Sequence, residues 1–521
     1  MISELTEPFH LVGKQTKRPS PLTGNVSLNE RAPQKTWTIS GRFSQWIRKA
    51  IVETHKASTM PLREVSPQSR LCSKLPSIAA YCLLAGCLWY LGSSLVGYAI
   101  GGDHQEQSFL ILGEMRIQPA FADLKWITVI GECGTKLQTI YQSAAASCAT
   151  YGYGTHGGGY PDSGYPPMAT WLLRWLRFPS RQSAALAVFS GVAFVIVLLG
   201  VSKGLLRSAW AWPLWLSIIL VSFPAQLVLE RGNVDSLIFL LLTATAACIC
   251  LRNRVSWLPS ALLTLLAVSL KLYPAAGFVG WLAFGQVTKS HGWRVSHAVK
   301  AAVLFGCVVG LALSLPWMLA SPLPHGEGGM NSFGLKAIGY INVSLVQQIG
   351  VDSARWVIRG LIISKLLALV FGAVLAVRLR LHSALQHRFR VIGDSFFDRF
   401  SQTFFLINSW TWLGCYILTV SYDYKHIYML PSLLLLLSMV DRRADLNPRQ
   451  YALAWILVAT SMIFLLFPHL HYNGLSDFAA ISGFCELAIE FFVVPFYAGA
   501  LLMLVTGHRF QRRSIPSLAG N

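Results

Sequence analysis

The chain has 521 residues, 54% of them hydrophobic and only 13% charged, with a formal net charge of +20. An ordinary soluble domain carries about 25% charged residues, so this composition excludes a disordered chain, a coiled coil and a conventional soluble enzyme. The apolar residues fall in blocks long enough for a bilayer, which needs about 20 residues per helix. The expected fold class is therefore an all-α polytopic membrane protein.

In chain order, residues 1–75 hold no apolar run and no cleavable signal pattern, and their Ser/Pro/Lys-rich composition reads as a mostly disordered cytoplasmic tail. Within it FSQWIRKAIV (43–52) is either a plain linker or a basic amphipathic helix lying on the inner leaflet. Apolar runs then predict spans at 76–100, 183–201, 210–229, 236–251, 258–270, 275–287, 301–320, 357–377, 403–420, 427–440, 450–467 and 481–506. That makes about 11–12 membrane segments in a transmembrane domain over 76–507, followed by a C-terminal tail, 508–521.

With residue 1 in the cytoplasm, 12 Lys and Arg precede residue 76, and the loops on the same side carry further Lys/Arg clusters. This is the positive-inside pattern. It puts both termini in the cytoplasm of a plasma (inner) membrane, makes the basic excess a matter of topology, and excludes nucleic acid as the expected partner. The basic tail is instead suited to anionic lipids.

The largest expected outer loop is 101–182. Its segment 117–134 has helical apolar spacing at Phe121, Leu124, Ile127 and Ile130, with Asp123 near the start, where a first-turn or N-cap role is the alternative to a chemical one. Cys133 and Cys148 are the two cysteines of this loop and could form a disulfide in an oxidising compartment. YGYGTHGGGYPDSGYPP (151–167) lacks the Gly-Lys-Ser/Thr ending of a phosphate loop. Its tyrosines suit either stacking on a sugar or an ordinary surface turn. MATWLLRWLRF (168–178) reads as an interfacial helix.

Polar residues interrupt the apolar pattern at three further places. ERGNVDS (230–236) packs Glu230, Arg231, Asn233 and Asp235 into a turn. SLKLYP (269–274) sets Lys271, Tyr273 and Pro274 between two short apolar runs, as in a helix pair that enters, breaks and returns. SYDYKH (421–426), with Tyr422, Asp423 and Lys425, is either a solvated turn or part of a site. Together with the loop 321–356, which holds His325 and Glu327, these places all fall on the expected outer side. A charge at membrane depth costs about 2.5–3.5 kcal/mol on insertion scales, so by default it faces a cavity or a partner. His469 and His471 read as solvated residues of an outer turn, and the chain carries no HExxH or paired CxxC motif. No metal and no cofactor is expected.

The series FADLK (121–125), TIY (139–141), GYPPMATWLL (164–173), GNVDSLIFLLL (232–242) and LKLYPAAGFVGWL (270–282) resembles the GT-C glycosyltransferases. Among these it is most similar to the polyprenyl-phosphate-mannose-dependent mannosyltransferases of glycosyltransferase family 87. The resemblance implies a GT-C fold with a large first outer loop. It also implies transfer of a hexose, mannose in most of the family, from a polyprenyl-phosphate donor to a glycolipid or glycan acceptor on the outer face, with inversion. It assigns the general base to Asp123, with Asp103 as the competing residue. It matches its Lys-Tyr-Pro element to Lys271, Tyr273 and Pro274 and so assigns the donor phosphate to Lys271. Arg231 either shares the phosphate or pairs with Glu230 or Asp235, and Tyr165, Asn233, Asp235, Tyr273, His325, Asp423 and Lys425 are the expected donor or acceptor contacts. Gly-Asn-Val-Asp stands where family members often show Gly-Gln-Asn, and the basic tail and the Gly/Tyr-rich insertion have no counterpart.

Two other classes compete. An O-antigen-type ligase or polymerase would place its large outer loop late in the chain. A lipid or sugar transporter would show matched broken helices in two halves, and only the pair around Lys271 is evident. Glu486 and Glu490, one turn apart in the last span, would suit a proton relay or simply lie at its outer end.

Overall fold

A computed structural model of the chain describes residues 67–100, 124, 183–206, 208–251, 255–284, 297–320, 332–333, 350–385, 396–418, 421–441, 446–472, 485 and 487–506. The chain divides into Met1–Arg70 and Leu71–Asn521, and all the packing below lies in the second. The helices are α1 (Pro67–Ile100), α2 (Ser183–Leu205), α3 (Ala211–Leu220), α4 (Phe223–Arg231), α5 (Val234–Cys250), α6 (Trp257–Leu270) and α7 (Pro274–Phe284). They continue with α8 (His297–Ala320), α9 (Val351–Arg378), α10 (Phe396–Leu418), α11 (Leu430–Asp441), α12 (Pro448–Tyr472) and α13 (Val494–Thr506). A 3-10 turn, Asp423–Met429, precedes α11, and a π-helical turn, Ile489–Val493, runs directly into α13.

Among the described residues six helical stretches are long and apolar enough to cross a membrane: Lys74–Ser93, Ala184–Leu205, His297–Ser314, Asp352–Arg378, Pro448–Leu466 and Ile489–Thr506. The pair α3 and α4, bent by 56°, makes a seventh when taken as one broken span. Their outer faces carry exposed Phe189, Ile196, Phe305, Trp356, Leu367 and Phe371, as lipid contact requires. The chain is a multi-pass α-helical membrane protein.

Several expected spans differ from the helices. The first helix begins at Pro67, nine residues before the apolar run, because its backbone bonds do not depend on apolar side chains. The runs at 236–251, 258–270 and 275–287 form α5, α6 and α7, of 17, 14 and 11 residues. At 1.5 Å per residue these reach only about 26, 21 and 17 Å, short of a hydrocarbon core of about 30 Å. The run at 427–440 becomes the 12-residue α11, whose residues from Leu430 to Val440 are all buried. A helix that is apolar on nearly every side belongs in the interior, and this segment lies there. His469 and His471 lie on the last turn of α12, where a loop was expected.

Small residues set the closest crossings. A β-carbon at Gly277 of α7 would meet the Thr411 hydroxyl and the Ile407 carbonyl of α10. Between α9 and α13, Gly372 abuts the Phe496 carbonyl and Gly499 the Leu369 carbonyl. In lipid, where burial between helices gains little from water, such backbone approach is a principal source of association.

Candidate functional site

Three interruptions of the helical backbone converge on one buried cluster. The first is Gly232, whose left-handed backbone (φ 55°, ψ 41°) caps α4. Glycine adopts that conformation without a β-carbon clash. Asn233 then caps α5, its side-chain oxygen accepting from the Asp235 amide at 2.9 Å. Ser236 donates to the Asn233 carbonyl at 2.8 Å. The turn therefore fixes Asp235 in the first turn of α5, where the helix dipole favours a carboxylate.

The second interruption lies between α6 and α7. Lys271 is extended (φ −153°, ψ 151°) and closes α6, and Pro274 opens α7. Proline has no N–H to continue the preceding helix but suits the first helical position. The third is the 3-10 turn Asp423–Met429, which packs against α4, α5 and α10. Just before it, Ser421 and Tyr422 pair antiparallel with Phe333 and Ser332.

At the meeting point Lys271 Nζ donates to Asp235 Oδ2 at 2.8 Å, with both side chains buried. The Tyr428 hydroxyl donates to Asp235 Oδ1 at 2.7 Å and lies 3.1 Å from the Asp235 carbonyl oxygen. The Tyr273 hydroxyl is 3.2 Å from that of Tyr428. Because the Tyr428 proton is engaged by the carboxylate, Tyr273 is the donor in this last bond. Lys425, also buried, sits with Nζ 4.9 Å from the centre of the Tyr273 ring, and Lys271 Nζ lies 5.9 Å from the same ring. Two lysine side chains thus approach one aromatic ring beside one carboxylate.

Neighbouring His426 is buried and accepts from Trp412 Nε1 through its Nδ1 at 3.0 Å. The 3-10 turn belongs to none of the membrane-length helices. Within it burial lowers the pKa of His426 to about 3, which agrees with an Nδ1 that must stay unprotonated to accept. Burial likewise lowers that of Lys425, and the nearby Lys271 adds to the effect, while Cys415 and Asp235 oppose it.

Of the residues singled out from sequence, Asp235, Lys271, Tyr273 and Lys425 come together here. Asn233 has a local capping role, and its neighbour Arg231 ends α4. SYDYKH is no solvated turn at its far end, since Lys425 and His426 are both buried. Tyr422 and Asp423 fall in the short strand and the first position of the 3-10 turn. Asp103, Asp123, Cys133, Cys148, Tyr165, His325, Glu327 and Glu486 lie outside the described residues. So do the helices expected at 43–52 and 168–178 and all of 117–134 except Leu124, which is helical and buried in the common apolar core. Sequence reasoning missed Tyr428, Trp412 and His426. Tyr428 sits in an apolar run where a tyrosine reads as core, and only its hydroxyl contact distinguishes it.

A second charged pair lies away from this cluster. Lys365 Nζ of α9 donates to Glu490 Oε1 of the π-helical turn at 2.7 Å and sits 4.3 Å from the centre of the Phe491 ring. Among the described residues no three of His, Cys, Asp and Glu gather in a metal-holding group.

Fold and site together define a multi-pass helical membrane protein with a buried acid–lysine–tyrosine centre at converging helix breaks. No protein-family model, no curated protein and no solved structure matches the chain.

Proposed function

We propose that the chain is a membrane-embedded glycosyltransferase of GT-C type. It would move a hexose, mannose on the family resemblance, from a polyprenyl phosphate to a glycolipid or glycan acceptor on the outer face of a plasma (inner) membrane. The observation that carries this reading is the buried Asp235–Lys271 pair, with Lys425 against the same Tyr273 ring. A lysine ammonium has three N–H donors, and Asp235 takes one from Lys271. The two lysine side chains, brought together beside one carboxylate, suit a phosphate monoester, which takes on charge as it leaves.

The acceptor oxygen attacks the anomeric carbon, the bond from that carbon to the phosphate oxygen breaks, and the electron pair leaves with the phosphate. Displacement from the opposite face inverts the centre. The acceptor proton needs a positioned base. Asp235 suits this poorly, because Lys271 and Tyr428 already occupy its two oxygens. The resemblance assigns the base to Asp123.

The test is transfer in nanodiscs, supplied with a panel of radiolabelled polyprenyl-phosphate sugars and a membrane glycolipid extract. The wild type should transfer label, Asp123→Asn should bind donor without transferring, and Lys271→Met should lose donor affinity. Transfer by Asp123→Asn would move the base to Asp103. No transfer by the wild type from any donor would overturn the reading.

The Lys365–Glu490 pair favours a second reading, an ion-coupled transporter, since intramembrane charges often mark ion pathways. Proton flux into proteoliposomes that disappears in Glu490→Gln would support it over the transferase.

A further inference from the structure

We infer that Tyr428 is a positioning residue for the anion seat: it acts on a bound phosphate through Asp235 and Lys271 and does not itself touch the phosphate. The inference rests on the proposed binding of a lipid phosphate at Lys271 and adds the group that holds this lysine in place.

The geometry is a chain of donors ending on one carboxylate. Tyr273 donates to Tyr428 at 3.2 Å, and Tyr428 donates to Asp235 Oδ1 at 2.7 Å. Lys271 donates to the other oxygen at 2.8 Å. The same Tyr428 oxygen lies 3.1 Å from the Asp235 carbonyl, so the phenol grips both the main chain and the side chain of one residue. Asp235 is also held from behind, where its amide donates to the Asn233 side chain. With both carboxylate oxygens engaged and its main chain held as well, Asp235 has one orientation, and the lysine bound to it inherits that orientation.

The partners come from three separate parts of the chain, α5, the α6–α7 break and the 3-10 turn. The relay therefore ties the position of Lys271 to the loop that also carries Lys425. Tyr428 is fully buried, and its hydroxyl is committed to Asp235 and Tyr273. The phenol therefore acts through the carboxylate, and the ammonium of Lys271 is the charged member of the chain.

The test is a double-mutant cycle read as affinity for polyprenyl phosphate in detergent micelles, on variants that elute as folded monodisperse protein. Loss of one charge-assisted hydrogen bond is worth about tenfold in affinity, so Tyr428→Phe should weaken binding by about that factor in the wild-type background. In the Lys271→Met background it should change affinity by less than about twofold, because the residue through which it acts is gone. Should Tyr428→Phe not fold, 3-fluorotyrosine at position 428, a more acidic phenol that strengthens its bond to Asp235, should shift affinity in the wild-type background and change it by less than about twofold in the Lys271→Met background.

Equal weakening by Tyr428→Phe in both backgrounds would overturn the inference, since the residue would then act independently of Lys271. No weakening by Tyr428→Phe alongside clear weakening by Lys271→Met would overturn the inference and leave the function reading standing. Unchanged affinity in Lys271→Met, or no binding by the wild type, would overturn both.

Discussion

Lys365 and Glu490 face each other at 2.7 Å between α9 and the π-helical turn that precedes α13, with the lysine wholly buried and the glutamate side chain 20% exposed. The two helices also pack backbone to backbone at Gly372 and Gly499. Taking one partner away leaves a buried charge uncompensated, which costs about 3–5 kcal/mol, whereas replacing both by apolar residues is often neutral. Glu490→Leu, which leaves the wholly buried lysine behind, should therefore lower the thermal unfolding midpoint in detergent sharply, and Lys365→Met with Glu490→Leu should recover most of the loss. A double variant no more stable than the single one would show that the pair does more than neutralise itself.

The glycines of the same interface allow no side chain. A β-carbon at Gly499 would overlap the Leu369 carbonyl, and one at Gly372 the Phe496 carbonyl. Backbone atoms yield less readily than side-chain ends, so Gly499→Val should force α9 and α13 apart. The expected outcome is a loss of monodisperse protein on size-exclusion chromatography. Gly200→Ala, with open space around it, serves as the control and should behave as wild type.

Asn233 should matter through its cap. Replacing a capping Asn by Ala typically costs about 1 kcal/mol, while Asp or Ser keeps an acceptor for the amide at the start of the helix. Asn233→Ala is expected to lower the unfolding midpoint and to weaken donor binding, since it loosens the turn that presents Asp235. Asn233→Asp should retain stability, and thermal unfolding of the two variants side by side checks the difference.

His426 predicts the sign of one acid effect. Its folded pKa, lowered to about 3 by burial, lies below the ordinary value of 6.5. Between those values the unfolded chain binds a proton that the folded one refuses, so this residue makes stability fall as pH drops below about 6.5. Protonation of Nδ1 would also place two N–H groups against each other at Trp412. The unfolding midpoint should decline from pH 7 to pH 4.5, and His426→Gln should flatten that decline. An equal slope in the variant would assign the effect to other groups.

The sequence by itself determined the class of this protein. Long apolar blocks and sparse charge demand a membrane, because no soluble surface could be built from them. It also marked three of the four elements of the site. Gly232–Asn233, Lys271–Pro274 and Lys425 are residues that break helices or carry charge where apolar residues are the rule, and each such departure is visible locally. The fourth element was not legible. Tyr428 and Trp412 are residues that any apolar core accommodates, and their roles come from partners 193 and 14 positions away. The sequence likewise showed Lys271 and Asp235 as separate charges 36 residues apart and left Arg231 as a rival partner for the acid. Only the packing of α5 against α6 joined Lys271 to Asp235, because the energy of an ion pair depends on distance and burial, which a linear pattern does not contain.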